Sequence, residues 1–326
     1  MNKSIKILIN WFLGPVLLVI LCYSLYRQLI QQNDVEQRWQ QIKYSWQNTK
    51  FLGVIFLMLL NWGIEAKKWQ LLVLHVQQFS FIRAFKSVLS GCSITMLTPN
   101  RIGEYGGRIL FIKKEHRIKA ISLNIVGSIS QLLITMLMGC AGLIFLRFFS
   151  HTNRNALSVL PDFWGNVLIY FSIIGTVVLF LFYIRLGWLV RLMEKIPAFT
   201  KIVKHISVLD EFSAGQLLRI LSLSLVRYVV FVLQYVLLLQ VMQVNIDVAL
   251  SFWLITVFYL VMAVAPTIGF LELPVRAKAS IELMKLYSSN MLGIETAALS
   301  IWIINLVIPA LIGSILILGI KIIKEK

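Results

Sequence analysis

The sequence predicts an all-α polytopic membrane protein with about six spanning helices and two oppositely oriented re-entrant segments. Hydrophobic residues make up 59% of the 326 residues, and the mean hydropathy is +0.82. That is too apolar for a water-soluble domain of this length. Most apolar residues occur in long runs separated by basic loops, and two shorter runs end in motifs that contain proline and glycine. We expect residues 1–326 to form a single integral membrane domain.

The spanning helices are predicted from apolar runs, since a helix needs roughly 20 such residues to cross a core of about 30 Å. Five runs reach that length: 7–26, 120–146, 164–183, 220–242 and 294–320. A further run, 51–65, is interrupted by Asn61, Gly63 and Glu65. We expect this span to end near Glu65, with the stretch from Trp69 to Ser80 lying at the membrane interface.

The distribution of basic residues sets the predicted topology, because cytoplasmic loops carry an excess of Lys and Arg. The densest basic loop follows the short run 85–97 and contains Arg101, Arg108, Lys113, Lys114, Arg117 and Lys119. If the run 85–97 is re-entrant, this loop stays inside, and roughly two thirds of the basic residues are cytoplasmic. The alternative, in which both short runs cross fully, moves the loop outside. The preferred topology places both termini in the cytoplasm.

The first motif, 97–108, reads L-T-P-N-R-I-G-E-Y-G-G-R and interrupts the apolar sequence. Proline lacks an amide donor, and glycine adopts φ values that other residues avoid. These properties predict a backbone break beside a cavity, because irregular backbone at membrane depth is tolerated only inside protein or beside water. The residues of the break are Pro99, Gly103, Gly106 and Gly107, and the charged residues are Arg101, Glu104 and Arg108.

A second motif, 265–276, repeats this plan about half the chain length later and reads A-P-T-I-G-F-L-E-L-P-V-R. Its break residues are Pro266 and Gly269, and its charged pair is Glu272 and Arg276. The charged pair has the same spacing as the pair in the first motif. Interrupted apolar segments at matching places in two halves point to the central site of a transporter. The predicted halves are about 1–146 and 164–326, related as an inverted repeat.

Charged residues at membrane depth are rare and usually functional, so the sequence nominates a substrate-binding set. The set is Arg101, Glu104, Arg108, Arg227, Glu272 and Arg276. Arginine can hold a lipid phosphate through paired hydrogen bonds. Alternatively, the Glu and Arg of each motif are local pairs that only neutralise each other, with Pro274 interrupting the helix of the second pair.

The sequence leaves the partners of two charged residues, Arg227 and Glu65, undecided. Arg227 lies inside the run 220–242 and requires an acidic or phosphate partner, which Glu104 or Glu272 is expected to provide. Glu65 is either a buried member of the site or an interfacial residue paired with Lys68. A glutamate that is buried without a partner would be a candidate proton carrier, because burial favours its neutral form.

Four stretches together resemble a known membrane family. They are Lys68 to Leu72, Phe81 to Ala84, Pro99 to Arg108 and Pro266 to Glu272. They resemble the flippase-like family whose best-known members form the membrane region of lysylphosphatidylglycerol synthase. The second motif departs from the family pattern Pro-Gly-Gly-x-Gly-x-x-Glu, because Thr267 and Ile268 stand where glycines are expected. The resemblance implies the translocating region of such a protein without the cytoplasmic synthase domain.

The sequence favours a lipid transporter over an enzyme. The net charge is +17, but the basic residues lie in separate loops, which argues against a nucleic-acid partner. Histidines and cysteines lack metal-ligand spacing, and no cofactor fingerprint is present, so no metal, cofactor or catalytic residue is predicted. The predicted function is movement of an anionic or lipid-linked headgroup between leaflets, with a membrane lipid as partner. The alternatives are a membrane enzyme acting on a lipid phosphate or sugar, and a scaffold for lipid-synthesis enzymes.

Overall fold

A computed structural model describes most of the chain after position 46. The described residues are 36, 40, 43–44, 47–96, 103–148, 162–185, 187, 209–210, 212–264 and 272–318. They are predominantly helical and contain no β-strand. The prediction of an all-α fold is confirmed.

The helices of the described residues are numbered in chain order. They are α1 Thr49–Val73, α2 Phe81–Met96, α3 Gly103–Ile109, α4 Arg117–Phe148, α5 Asp162–Ile184, α6 Ala214–Val241, α7 Val248–Val264, α8 Glu272–Met284, α9 Met291–Trp302 and α10 Ile308–Leu318. A 3₁₀ turn, Lys114–His116, precedes α4, and a π-helical turn, Ile303–Val307, joins α9 to α10.

Five helical segments of the described residues are long and apolar enough to cross a membrane. They are Thr49–Val73, Lys114–Phe148, Gly165–Ile184, Ala214–Val241 and Met291–Ile317. Each of them overlaps a run that the sequence predicts to span. The remaining predicted span, 7–26, lies outside the described residues. The protein is therefore a multi-pass membrane protein.

Helix α1 is continuous, so the prediction that this span ends near Glu65 is wrong. The helix runs on to Val73, and Trp69 is fully buried. Its indole Nε1 donates a hydrogen bond to Ser87 Oγ at 2.9 Å. Of the three residues that suggested a break, Asn61 and Glu65 are buried in the bundle, and Gly63 lies within the helix. Polar side chains that find partners inside a bundle do not need to end a helix.

Helices α2 and α3 form a tight hairpin. The hydroxyl of Ser87 donates to the carbonyl of Arg108 at 2.9 Å, and a Cβ atom added at Gly107 would lie only 2.6 Å from Gly91 Cα. Gly106 and Gly107 lie inside α3 and neither has a left-handed φ, so the prediction that they break the backbone is wrong. Gly107 instead permits a close approach of two helices, and Gly103 begins α3. Pro99 lies outside the described residues.

Helices α7 and α8 also fold back on each other. The Arg276 guanidinium of α8 lies 5.8 Å from the ring centroid of Phe258 and 6.0 Å from that of Tyr259, both on α7. Pro274 does not interrupt α8, because it falls in the first turn, where the missing amide proton has no partner in any helix. Pro266 and Gly269 lie outside the described residues.

The order of a long helix, two short helices and a long helix occurs twice. The first set is α1 to α4, and the second is α6 to α10, with the π turn inside its last member. Helix α2 packs on α10, whereas α7 packs on α4. Small residues allow both crossings: a Cβ at Gly313 would lie 2.5 Å from Ser93 Oγ, and one at Gly142 would lie 3.1 Å from the Trp253 carbonyl. One short helix of each set thus packs on the last long helix of the other set.

Candidate functional site

Glu65 is the centre of a buried ion-pair cluster between α1, α3 and α6. Its carboxylate lies 2.9 Å from Lys68 Nζ, 2.8 Å from Arg108 Nη2 and 3.0 Å from Arg227 Nη1. The side chain of Glu65 is only 5% exposed. Three cations around one buried carboxylate compensate its desolvation, which would otherwise disfavour its charged form. We call Glu65, Lys68, Arg108, Arg227 and the adjoining Glu104 the Glu65 cluster.

The Glu65 cluster carries an excess of one positive charge. Glu104 forms an i,i+4 ion pair with Arg108 on α3, so two carboxylates face three cations. The pairing of Glu104 with Arg108 is therefore not only local, because Arg108 also reaches Glu65 on another helix. An unneutralised cation at membrane depth is costly, so the cluster is suited to hold one more negative charge.

Neutral amides complete the surroundings of the two arginines. Arg108 Nη1 donates to Asn124 Oδ1 at 2.9 Å, and Arg227 donates to Asn61 Oδ1 and to Gln131 Oε1, both at 3.1 Å. These contacts bring α4 into the site. They fix each guanidinium in one orientation, as a bidentate anion site requires.

A chain of buried amides continues from Asn61 across the bundle. Asn61 Nδ2 donates to Asn305 Oδ1 at 3.1 Å, Asn305 Nδ2 donates to Gln234 Oε1 at 2.9 Å, and Gln234 Nε2 donates to the Val54 carbonyl at 3.0 Å. Asn305 belongs to the π-helical turn, a distortion that is frequent at functional sites. These hydrogen bonds connect Arg227, through Asn61, to the π-helical turn between α9 and α10.

The rings of two tryptophans pack against the guanidinium groups of the two arginines. The Arg108 guanidinium lies 5.2 Å from the ring centroid of Trp69, and that of Arg227 lies 5.6 Å from the ring centroid of Trp62. Such cation–π contacts stabilise a guanidinium without neutralising it. The two rings therefore hold the guanidinium groups without reducing the excess positive charge of the Glu65 cluster.

Three buried hydrogen-bond donors of the site lack an acceptor among the described residues. They are Arg108 Nε, Asn124 Nδ2 and Trp62 Nε1. A buried donor without a partner costs free energy, whereas a ligand rich in acceptor oxygens would satisfy it. The unpaired donors and the excess charge both favour an anionic, oxygen-bearing ligand such as a phosphate.

The accessible edge of the cluster is formed by Glu104 and Arg227. Their side chains are 27% and 21% exposed, whereas those of Lys68 and Arg108 are 2% and 3% exposed. A ligand that approaches along this edge would meet Arg227 and Glu104 first. Arg108 would be reached only if Glu104 moved aside.

The second motif forms its own pair on α8. Arg276 donates to Glu272 Oε1 from Nη2 at 2.7 Å and from Nε at 3.2 Å, an i,i+4 contact within one helix. The side chains are 7% and 15% exposed. This pair corresponds to the local alternative of the sequence analysis, and the structure does not place it around Glu65.

The structure brings together only part of the nominated set. Glu104, Arg108 and Arg227 meet around Glu65, whereas Arg101 lies outside the described residues. The expectation that Glu104 or Glu272 pairs with Arg227 is wrong, since Glu65 is the partner. Because Glu65, Glu104 and Glu272 all have cationic partners, none of them meets the condition for an unpaired proton carrier.

Sequence reasoning missed several members of the site. Lys68 was expected to pair with Glu65 only in the alternative that places both at the interface, whereas the structure buries this i,i+3 pair inside the bundle. Asn61, Asn124 and Asn305 are amides inside apolar runs, and that position was the available signal. Their mutual contacts depend on helix packing, which sequence spacing does not reveal.

Fold and site together define a polytopic helical membrane protein that encloses a charged, donor-rich site within its bundle. Residues 11–271 match the family described as the lysylphosphatidylglycerol synthase TM region. The chain belongs to this family, as the resemblance implied, and is thus a multi-pass membrane protein of lipid metabolism or transport. Neither the curated proteins nor the solved structures compared with the chain give a match.

Proposed function

We propose that this protein moves an anionic or lipid-linked headgroup between the leaflets of the cell membrane. The observation that carries the proposal is the excess positive charge of the Glu65 cluster, buried between helices long enough to span a bilayer. An anion in bare hydrocarbon is strongly disfavoured. A positively charged site inside the bundle lowers the free-energy barrier for an anion to cross the membrane.

The geometry of the cluster supports a sequence of contacts for the headgroup. Arg227 is the accessible cation, so a lipid phosphate would pair with it first. Displacement of the Glu104 carboxylate from Arg108 would then let the phosphate bind both guanidinium groups. Glu65 stays buried throughout and holds the two arginines close together through its ion pairs with both of them, while Lys68 pairs with the same carboxylate.

The arrangement of the two halves supports alternating exposure of this site. In the proposal, the α2–α3 and α7–α8 hairpins are re-entrant segments from opposite faces of the membrane, and both termini are cytoplasmic. The halves form an inverted repeat, and one half rocks against the other. The crossing of each hairpin onto the other half would transmit the motion.

The proposal assigns no covalent step to the chain. Arginines, amides and tryptophans surround the candidate ligand, and their roles are binding and orientation. In the proposal, the partner is a membrane lipid that is taken up and released unchanged, and no cofactor takes part. A membrane enzyme would instead convert the lipid, and a scaffold would leave it in its original leaflet.

Lipid exchange in vesicles tests the proposal. Purified protein is reconstituted with fluorescent phosphatidylglycerol or phosphatidylcholine analogues, and dithionite quenches the dye in the outer leaflet. We expect the protein to expose inner-leaflet phosphatidylglycerol faster than protein-free vesicles do, and faster than phosphatidylcholine. Mass spectrometry of the recovered lipids provides the control for chemical conversion. Equal quenching with and without protein, or a converted lipid, would contradict transport.

A further inference from the structure

A cavity of about 310 Å³ lies where the end of α1 meets the beginning of α6. Its volume is at the lower end of the range for ligand sites. The residues that line it are Leu71, Leu74, His75, Gln216, Arg219 and Ile220. Since α1 and α6 are both long enough to span a bilayer, their ends lie near the headgroup layer.

The neutral polar groups of the cavity are already engaged with one another. His75 Nδ1 lies 3.1 Å from the Leu71 carbonyl, which can only accept, so Nδ1 carries the proton. His75 Nε2 then accepts from Gln216 Nε2 at 3.1 Å. The Gln216 Oε1 atom accepts from the Ser213 amide at 2.9 Å in the capping box of α6. These hydrogen bonds therefore hold the side chains of Gln216 and His75 in place.

Arg219 is the charged residue of this cavity. It is exposed and makes no ion pair or hydrogen bond with another residue in the part of the chain that the structure describes. The remaining lining residues, Leu71, Leu74 and Ile220, are apolar, and Leu74 is 41% exposed. A free guanidinium beside apolar side chains at the end of two spans fits an amphiphile with an anionic head.

We propose that this cavity binds the phosphate group of an anionic membrane lipid, with Arg219 as its cation and Leu71, Leu74 and Ile220 against the glycerol and upper acyl chain. The site is separate from the Glu65 cluster. Arg219 precedes Arg227 by eight positions on α6, a rise of about 12 Å. Binding at the cavity does not require translocation, so this proposal stands independently of the proposed function.

The test is photo-crosslinking of the full chain in vesicles that contain phosphatidylglycerol or phosphatidylcholine with a diazirine near the glycerol. Adducts are located by peptide mass spectrometry. We expect phosphatidylglycerol adducts at 71–75 and 216–220, more frequent than phosphatidylcholine adducts. In Arg219→Gln they should fall about fivefold, because a charge-assisted hydrogen bond is lost, and in Arg219→Lys they should fall less.

Two variants serve as controls for this test. Arg83→Gln removes another exposed arginine, at the beginning of α2, and should leave the adducts unchanged. Arg227→Gln alters the Glu65 cluster and should also leave them unchanged, so a failed binding test is distinguishable from failed transport. Equal adducts of both lipids, or wild-type yields in Arg219→Gln, would overturn the proposal. Loss of the adducts on addition of millimolar inorganic phosphate would overturn the assignment to a lipid, because free phosphate would then be the ligand.

Discussion

Replacing Glu65 with glutamine is expected to lower the free energy of unfolding by about 3–5 kcal/mol, because the change leaves buried cations without their central carboxylate. In the wild type, Glu65 pairs with Lys68, Arg108 and Arg227. In the variant, only Glu104 remains to neutralise the three cations. The measurement is the midpoint of thermal unfolding of the purified protein in detergent.

Glu104→Gln is the matched control for this prediction. Glu104 is also a carboxylate of the cluster, but its side chain is 27% exposed and Arg108 keeps its ion pair with Glu65 when Glu104 is neutralised. We expect a clearly smaller loss of stability. Adding Arg227→Gln to Glu65→Gln removes one of the stranded cations and should recover part of the loss. Equal midpoints for Glu65→Gln and the wild type would show that the cluster is not a buried electrostatic unit.

Replacing Gly107 with alanine is expected to be the second most damaging change, with a loss of about 1–3 kcal/mol, the usual cost of overpacking. The added methyl group would lie 2.6 Å from Gly91 Cα and would also meet the Ser90 carbonyl. Backbone atoms cannot swing away as a side chain can, so α3 must move off α2. Valine at the same position should cost more. Unfolding midpoints in detergent provide the measurement.

Gly106→Ala is a neighbouring control for the Gly107 substitution. A Cβ at Gly106 would have its nearest neighbours, both in Ile94, at 4.0 Å, which is an ordinary van der Waals distance. We expect this variant to be as stable as the wild type or slightly more stable, since alanine favours helix over glycine. If both alanine variants had the same midpoint, the close approach of α2 and α3 would not contribute to stability.

The length of the apolar runs predicted the five spanning helices that the structure describes, because a bilayer imposes a long apolar run on each of them. It failed within α1, where Asn61 and Glu65 suggested an interruption. Those residues are accommodated by partners from other helices, such as Asn305 and Arg227. Local sequence does not identify such partners. It therefore does not distinguish a polar residue that is buried within a helix from one that marks the end of a helix.

The charged site was predicted only in part for the same reason. Spacing within one segment identified Glu104 with Arg108 and Glu272 with Arg276, and both pairs are present. Spacing did not show that Glu65 lies between Arg108 and Arg227, because those contacts join helices that are distant in the chain. It also assigned the glycines of the first motif to unusual φ values, whereas Gly107 serves the contact between α2 and α3.

The proposed transport requires Arg227 as the accessible cation of the site, so substitution of this residue is the most direct test of the proposed function. The measurement is the rate at which inner-leaflet phosphatidylglycerol analogue becomes accessible to dithionite, in wild type, Arg227→Gln and Arg227→Lys. Lys278→Gln is the control, because Lys278 forms an i,i+4 pair with Glu282 on α8, away from the Glu65 cluster. We expect wild-type exchange in Lys278→Gln and exchange at the protein-free rate in Arg227→Gln. Arg227→Lys should give partial exchange, because lysine keeps the charge but not the planar donors. Wild-type exchange in a folded Arg227→Gln variant would contradict the proposed function.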